Sequence, residues 1–261
     1  MSIVTSRAVL LRAHPYGDTS LILRFLTQDH GMLGAMARGV RKGSSRSGSS
    51  LETFADGLLT FHVREGRDLQ TFRSFSDTRT RPGLSRSILG LSGASLIAEI
   101  VLAHVGEEAG VPLFRGFLAS LDAVEGAEDG MRPGWILAGA WSMVTVLGFA
   151  PVLEVCVVCG VSLATDEVGR FDAGEGGMRC QRCGSSGSFP RVGPVAREHL
   201  RALMAGRPPR ELRRPSAHLK LLSDFLHFHL AGSRRLRSLP LLEAQFSSLA
   251  ERKGEADTDN P

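Results

Sequence analysis

The sequence predicts a multidomain α+β protein: an N-terminal β-barrel with the strand count of an OB-fold, then an α-helical domain interrupted by a four-cysteine zinc finger. Three observations carry this. Residues 1–80 read as about five strands broken by turns. Residues 84–150 and 194–230 repeat apolar side chains at helical spacing. Between them lie the only four cysteines of the chain, Cys156, Cys159, Cys180 and Cys183, as two Cys-x-x-Cys pairs separated by twenty residues. The expected limits are 1–80 for the barrel, 81–155 and 191–250 for the two helical parts, 156–190 for the zinc module and 251–261 for a disordered tail.

The strands follow in order. Ala8–Leu11 is a short apolar run and His14–Asp18 a turn. Thr19–Thr27 is strand-like, Gln28–Gly31 a second turn, and Met32–Val40 the next strand. Leu58–Val63 and Leu69–Phe75 flank Arg64–Asp68 and predict a hairpin. The stretch Gly39–Ser50 breaks the pattern with Gly, Ser, Arg41, Lys42 and Arg46, just after Arg38. Such a segment is either a solvated linker or a mobile basic arm for phosphates, as on small barrels that hold single strands.

The helical part begins with Ile88, Leu91, Leu96, Ile97, Ile100, Val101 and Val105. It continues with Leu113–Val124, then with Trp135–Leu147, and predicts a compact three-helix bundle. Trp135, Trp141 and His104 belong to apolar series, so they read as packing residues. His227 and His229 are two apart, face different sides of a helix and make a poor ligand pair.

A Cys-x-x-Cys turn aims two sulfurs at one point, and two such turns supply the tetrahedral thiolate set that structural zinc uses. Gly160 and Gly184, one after each pair, suit tight turns around the sulfurs. Disulfides, or four unrelated buried cysteines, are the competing readings. The absence of a signal peptide pattern in Met1–Arg12 favours a reducing compartment, where metal is the commoner outcome. Four sulfurs leave no open coordination position, so the expected zinc is structural. The inner segment, with Val168–Asp172 and the Gly174–Gly177 turn, reads as a β-ribbon.

Composition narrows the partners. The chain has 261 residues, 31 Lys+Arg against 27 Asp+Glu, and net charge +4. Residues 1–80 hold 11 basic and 7 acidic side chains, residues 81–155 hold 4 and 8, and residues 156–261 hold 16 and 12. An acidic middle thus separates two basic ends. Only Lys42, Lys220 and Lys253 are lysines. Arginine suits phosphate recognition, although a GC-rich genome also favours it. No apolar run is long enough to span a membrane. No Walker A lysine, His-x-Glu deaminase pair, Gly-x-Ser-x-Gly elbow or Lys-x-Asp-Gly ligase motif occurs, so nothing supports an enzyme.

Local words then add a family likeness. They are Pro15-Tyr16-Gly17-Asp18-Thr19-Ser20, Thr27–Gly31, Ala37-Arg38-Gly39-Val40-Arg41-Lys42, Leu147–Pro151 leading into Cys156, and Gly232–Ser238. Their order resembles the bacterial RecO family of recombination mediators over about residues 3–245. Two departures are Asp18, where glutamate is more usual, and Arg38, where lysine is commoner. The resemblance implies an OB-fold domain and a helical domain interrupted by a zinc finger. It also implies binding of single- and double-stranded DNA, strand annealing, and action with RecR in loading RecA onto DNA coated by single-strand-binding protein (SSB). The SSB C-terminal tail is an expected partner, and cytoplasmic, nucleoid-associated placement is expected. Site expectations are Cys156, Cys159, Cys180 and Cys183 for zinc, and Arg38, Arg41, Lys42, Arg46, Arg67 and Arg73 for phosphates. A zinc-ribbon transcription or scaffold protein is the alternative.

Overall fold

The computed structural model describes residues 2–40, 51–104, 110–229 and 236–258. The chain divides into two units, residues 1–82 with 105–121, and residues 83–104 with 122–261.

The first unit is built on five strands, β1 (Ser2–Tyr16), β2 (Ser20–Thr27), β3 (Met32–Ala37), β4 (Asp56–Val63) and β5 (Leu69–Arg79). The sheet closes on itself in the order β1-β2-β3-β5-β4, giving an OB-like domain. Closure is possible because β1 is long. Its Ser2–Val9 half pairs antiparallel with β4, and Ala8–Tyr16 pairs with β2. A bulge at Leu11 lets the strand bend between its two partners. The sequence showed only the buried centre of this strand. The turn expected over His14–Asp18 is displaced to Gly17–Thr19, because His14, Pro15 and Tyr16 pair with Ile22, Leu21 and Ser20; Gly17 takes φ 57°. β3 ends at Ala37 instead of Val40, before Gly39 at φ 73°. Ala8, Leu10, Leu23, Phe25, Ala35, Leu59, Phe61 and Phe75 fill the interior. Phe25 and Phe75 meet at 5.2 Å between ring centroids.

A buried ion pair ties the end of the barrel. Arg81 Nη1 stands 2.8 Å from Asp56 Oδ1, with both side chains almost fully buried. The same Nη1 donates to the Phe54 carbonyl at 2.6 Å, so its approach to Oδ1 is ionic contact more than an aligned hydrogen bond.

Seven helices occur among the described residues: α1 (Pro82–Ser85), α2 (Ile88–His104), α3 (Val111–Gly126), α4 (Arg132–Val146), α5 (Pro194–Met204), α6 (Pro215–His229) and α7 (Leu239–Thr258). The expected three-helix bundle is corrected. α2 packs on α4, but α3 as far as Leu121 groups with the barrel residues, where Phe114 lies under the Arg7 guanidinium. Helical periodicity marks a buried face without saying what covers it. In the second unit α4 also packs on α5 and α6, and α7 on α2 and α6. Trp141 is fully buried, 5.3 Å from Phe225, while Trp135 is only half-buried. His104 packs edge-on against Phe149, and burial lowers its pKa.

The tail expected to be disordered from residue 251 is corrected over most of its length: the α7 backbone is helical to Thr258. Glu251, Arg252, Lys253, Glu255 and Ala256 are strong helix formers, which outweighs their polarity. No described helix is long and apolar enough to cross a membrane.

Candidate metal centre and nucleic-acid interface

The cysteine module is a three-stranded sheet in the order β7-β6-β8, made of β6 (Gly169–Asp172), β7 (Gly177–Arg179) and β8 (Arg191–Val192). The ribbon of β6 and β7 was legible; β8, two residues long, carries no periodicity to read. Each Cys-x-x-Cys segment forms a tight turn, closed by Gly160 N–H to Cys156 O and by Gly184 N–H to Cys180 O, both at 2.9 Å. Gly160 takes φ 72°, and a Cβ on Gly184 would meet Arg170 at 2.8 Å.

The four sulfurs lie within 4.8 Å of one another, with Cys159 and Cys180 at 3.9 Å. A disulfide needs about 2 Å. A tetrahedron of ordinary zinc–thiolate bonds has an edge of about 3.8 Å. The four cysteines are therefore free thiols in the geometry of a metal-binding set. Their electrostatics agree. Burial disfavours the Cys156 thiolate, but N–H donors from Cys180, Cys159 and Val158 outweigh it and bring this thiol down to about 6. Hydrogen bonds from Val161 N–H and Cys183 lower Cys159 as well. Sharing its proton with Cys159 and Cys180 pushes Cys183 up to about 12. A cation at the centre removes that conflict by stabilising all four sulfurs as thiolates.

Surrounding residues hold the loops in place. Glu167 accepts from Gln181 N–H and Ala164 N–H, each at 3.2 Å. Arg179 pairs with the buried Asp172 at 2.5 Å, reaches the Cys183 carbonyl at 3.4 Å and lies over Phe189 at 4.5 Å. His229 contacts the Ala173 carbonyl at 2.6 Å and stacks on Phe225, so it anchors the ribbon turn to α6. None of these supporting residues was visible in the sequence, because each acts across a chain separation with no motif.

The expected phosphate contacts fare unevenly. Arg41, Lys42 and Arg46 lie outside the described residues. Arg38, Arg67 and Arg73 are exposed on the barrel. β3 and β5 pair in parallel, the last pair being Met36 with Thr71, and Arg38, just past the end of β3, and Arg73, within β5, each lie two residues beyond that pair. Arg73 is also the extra residue of a bulge, between Phe72 and Ser74; bulges re-aim side chains. Arg67 stands apart, in a turn fixed by Gln70, which accepts from Arg64 N–H at 2.7 Å and donates to Arg67 O at 2.8 Å. That turn borders a groove of about 650 Å³ that also holds Asp29, Glu65 and Asp68, so its charge is mixed. Phe61 and Phe75 are core, Phe72 packs against the core, and Tyr16 is the exposed aromatic of the barrel among the described residues.

A second cavity, of about 530 Å³, lies in the helical unit. Its apolar wall includes Val192, Pro194, Val195, Ala217 and Leu221, and exposed Arg191, Arg213, Arg214 and Lys220 border it. The N-terminus of α5 opens onto it: Gly193 makes no side-chain cap, leaving the N–H end of the helix for an anion. His218 is 3% exposed, and its Nδ1 has no partner. Burial, then the charge of nearby His199, lowers its pKa to about 4.

That value predicts acid sensitivity. The folded state keeps His218 neutral, while an unfolded histidine has a pKa near 6.5. The contribution is complete above about pH 6.5 and is lost as pH falls towards 4, by at most about 3 kcal/mol. Urea titrations at pH 7 and pH 5 should show the loss, and His218→Phe should shrink the wild-type difference. An equal difference in both proteins would remove His218 as its source.

Comparison with known proteins completes the picture. The family model for the recombination protein O N-terminal domain matches residues 1–81, and that for the C-terminal domain matches residues 85–240. This chain belongs to the RecO family of DNA repair proteins. The DNA repair protein RecO of Anaeromyxobacter sp. (strain K) is 33% identical over 258 residues, covering 93% of this chain and 97% of that protein. RecO of Rubrobacter xylanophilus is 33% identical over 209 residues, covering 78% and 82%. The two RecO matches meet between residues 81 and 85, where β5 has ended and α1 begins. The four-cysteine cluster lies within the C-terminal RecO match.

Proposed function

We propose that this protein is a non-enzymatic recombination mediator. It binds single- and double-stranded DNA through an OB-fold barrel, anneals complementary strands and, with RecR, helps load RecA onto SSB-coated DNA. The carrying observation is that Arg38 and Arg73 each lie two residues past the last β3–β5 pair, Met36 with Thr71, and that Arg38 is followed in sequence by the basic segment of residues 41–50. Membership in a DNA repair family supports the reading. The four-cysteine cluster supports a structural zinc finger, in which Cys156, Cys159, Cys180 and Cys183 hold one ion. Such an ion closes the ribbon and leaves no coordination position for substrate. The test is annealing of SSB-coated complementary strands with and without ATP. Annealing without nucleotide is the expected result; strict ATP or NAD dependence would point to an enzyme.

Phosphate contacts by arginine make binding sequence-independent and salt-sensitive, because released counterions drive it. Replacing Arg41, Lys42 and Arg46 together with alanine should weaken all sequences alike. It should flatten the log–log salt slope by roughly two units, at about 0.7 per lost contact on single strands. An unchanged slope with an intact fold would move the main DNA face elsewhere.

The cavity beside α5 suits the acidic, hydrophobic C-terminal tail of SSB. Its apolar wall takes an apolar side chain, while the cations and the helix N-terminus take carboxylates. Calorimetry with a tail peptide at low salt should show binding that weakens as salt rises and drops in Arg191→Ala/Lys220→Ala. No binding to the wild type would count against this partner site.

A further inference from the structure

The linker between α5 and α6, residues 205–214, has the sequence Ala-Gly-Arg-Pro-Pro-Arg-Glu-Leu-Arg-Arg. Arg207, Arg210, Arg213 and Arg214 are all exposed. Two exposed cations elsewhere in this unit have carboxylates: Arg201 pairs with Glu154 at 2.9 Å and Lys220 with Asp224 at 3.2 Å. The four linker arginines have no ion pair and no side-chain hydrogen bond among the described residues, and Glu211 is the single acid between them.

The backbone under these charges is anchored. A Cβ on Gly134 of α4 would come 3.1 Å from Pro208, so linker and helix are in close approach. Pro209, Leu212 and Pro215 line a cavity of about 760 Å³ with Met131 and Pro133. Arg214 is held at φ 49°, uncommon for a residue with a Cβ. A fixed backbone with guanidiniums facing water loses little order when an extended polyanion arrives. Arginines repeating every three residues along an unpaired segment suit successive phosphates better than one isolated carboxylate.

We propose that residues 207–214 form a second phosphate-backbone site, separate from the barrel, that holds a single strand of nucleic acid. Arg213 and Arg214 also border the α5 cavity. A strand on the linker and an acidic tail in the cavity therefore compete for the same two guanidiniums, and each displaces the other. Annealing gains from this arrangement, since one chain then tracks two backbones. The displacement rests on the tail-binding reading above; the strand site does not.

The experiment uses the full chain with a labelled oligo-dT strand and an SSB tail peptide. Arg207→Ala/Arg210→Ala removes linker charges that do not border the α5 cavity. It should lower the salt slope for oligo-dT by about 1.4 units, at about 0.7 per contact. It should slow annealing and leave peptide affinity unchanged, while Arg207→Lys/Arg210→Lys keeps the slope. An unchanged slope in the alanine variant, with wild-type circular dichroism, overturns the strand site. Saturating peptide should lower oligo-dT affinity in the wild type. A peptide that binds by calorimetry without lowering it overturns the sharing, and a peptide that does not bind overturns the tail reading and the sharing together, leaving the slope to judge the strand site.

Discussion

Cys180→Ser should take the protein from one bound zinc to none and loosen residues 151–192, leaving the barrel intact. Cys180 is buried, lies 3.9 Å from Cys159, and its sulfur accepts from the Cys183 N–H at 3.5 Å. Serine keeps the size but removes the thiolate. Metal binding to such sites is worth about 10–16 kcal/mol in isolated zinc-finger peptides, much of it folding free energy. The loss here is smaller, because Phe171 of the ribbon also packs against Phe225 of α6 at 6.2 Å. Elemental analysis gives the metal content, and hydrogen exchange should show protection lost over Val155–Arg179. Zinc-free wild-type protein, with all four thiols titratable in the native state, would refute the metal assignment.

Arg81→Ala should cost the barrel about 3–5 kcal/mol, the range for removing one partner of a buried ion pair. The penalty comes from Asp56, left as a nearly buried carboxylate with the Arg7 guanidinium 3.7 Å away, and from the Phe54 carbonyl losing its donor. Replacing both partners, as Arg81→Met/Asp56→Leu, should recover much of the loss, since no uncompensated charge remains. Urea unfolding followed by a probe in the barrel measures both. A loss below about 1 kcal/mol in the single variant would mean that water reaches Asp56 and that the pair is not holding the barrel closed.

Local chemistry was legible wherever spacing alone sets geometry. Two Cys-x-x-Cys turns can bring their sulfurs together whatever lies between them, so Cys156, Cys159, Cys180 and Cys183 could be named before any fold was known. The strands around Phe25, Leu59 and Phe61 and the helices around Ile97 and Trp141 were legible for a related reason: a buried face imprints its period on the chain. Helix formation in residues 251–258 was missed because polarity was weighed above helix propensity. The extra length of β1 was missed because its ends are largely exposed and hold only the short Ile3-Val4 apolar pair before the buried centre.

The sequence by itself determined the two Cys-x-x-Cys pairs whose sulfurs come together, the order of a β-rich part before a helical part, and the presence of two basic ends. Those properties depend on residue type and short-range spacing. Tertiary structure alone decided which strands close the sheet, with β3 beside β5 and β4 returning to β1. It decided that α3 to Leu121 groups with the barrel residues, that Asp56 meets Arg81, and that Arg191, Arg213 and Lys220 border one apolar cavity. It also decided which arginines are neutralised by a carboxylate and which are left to an outside anion. A count of charges gives their sign, but whether a charge has a partner depends on groups tens of residues away, brought together by packing that no local period encodes.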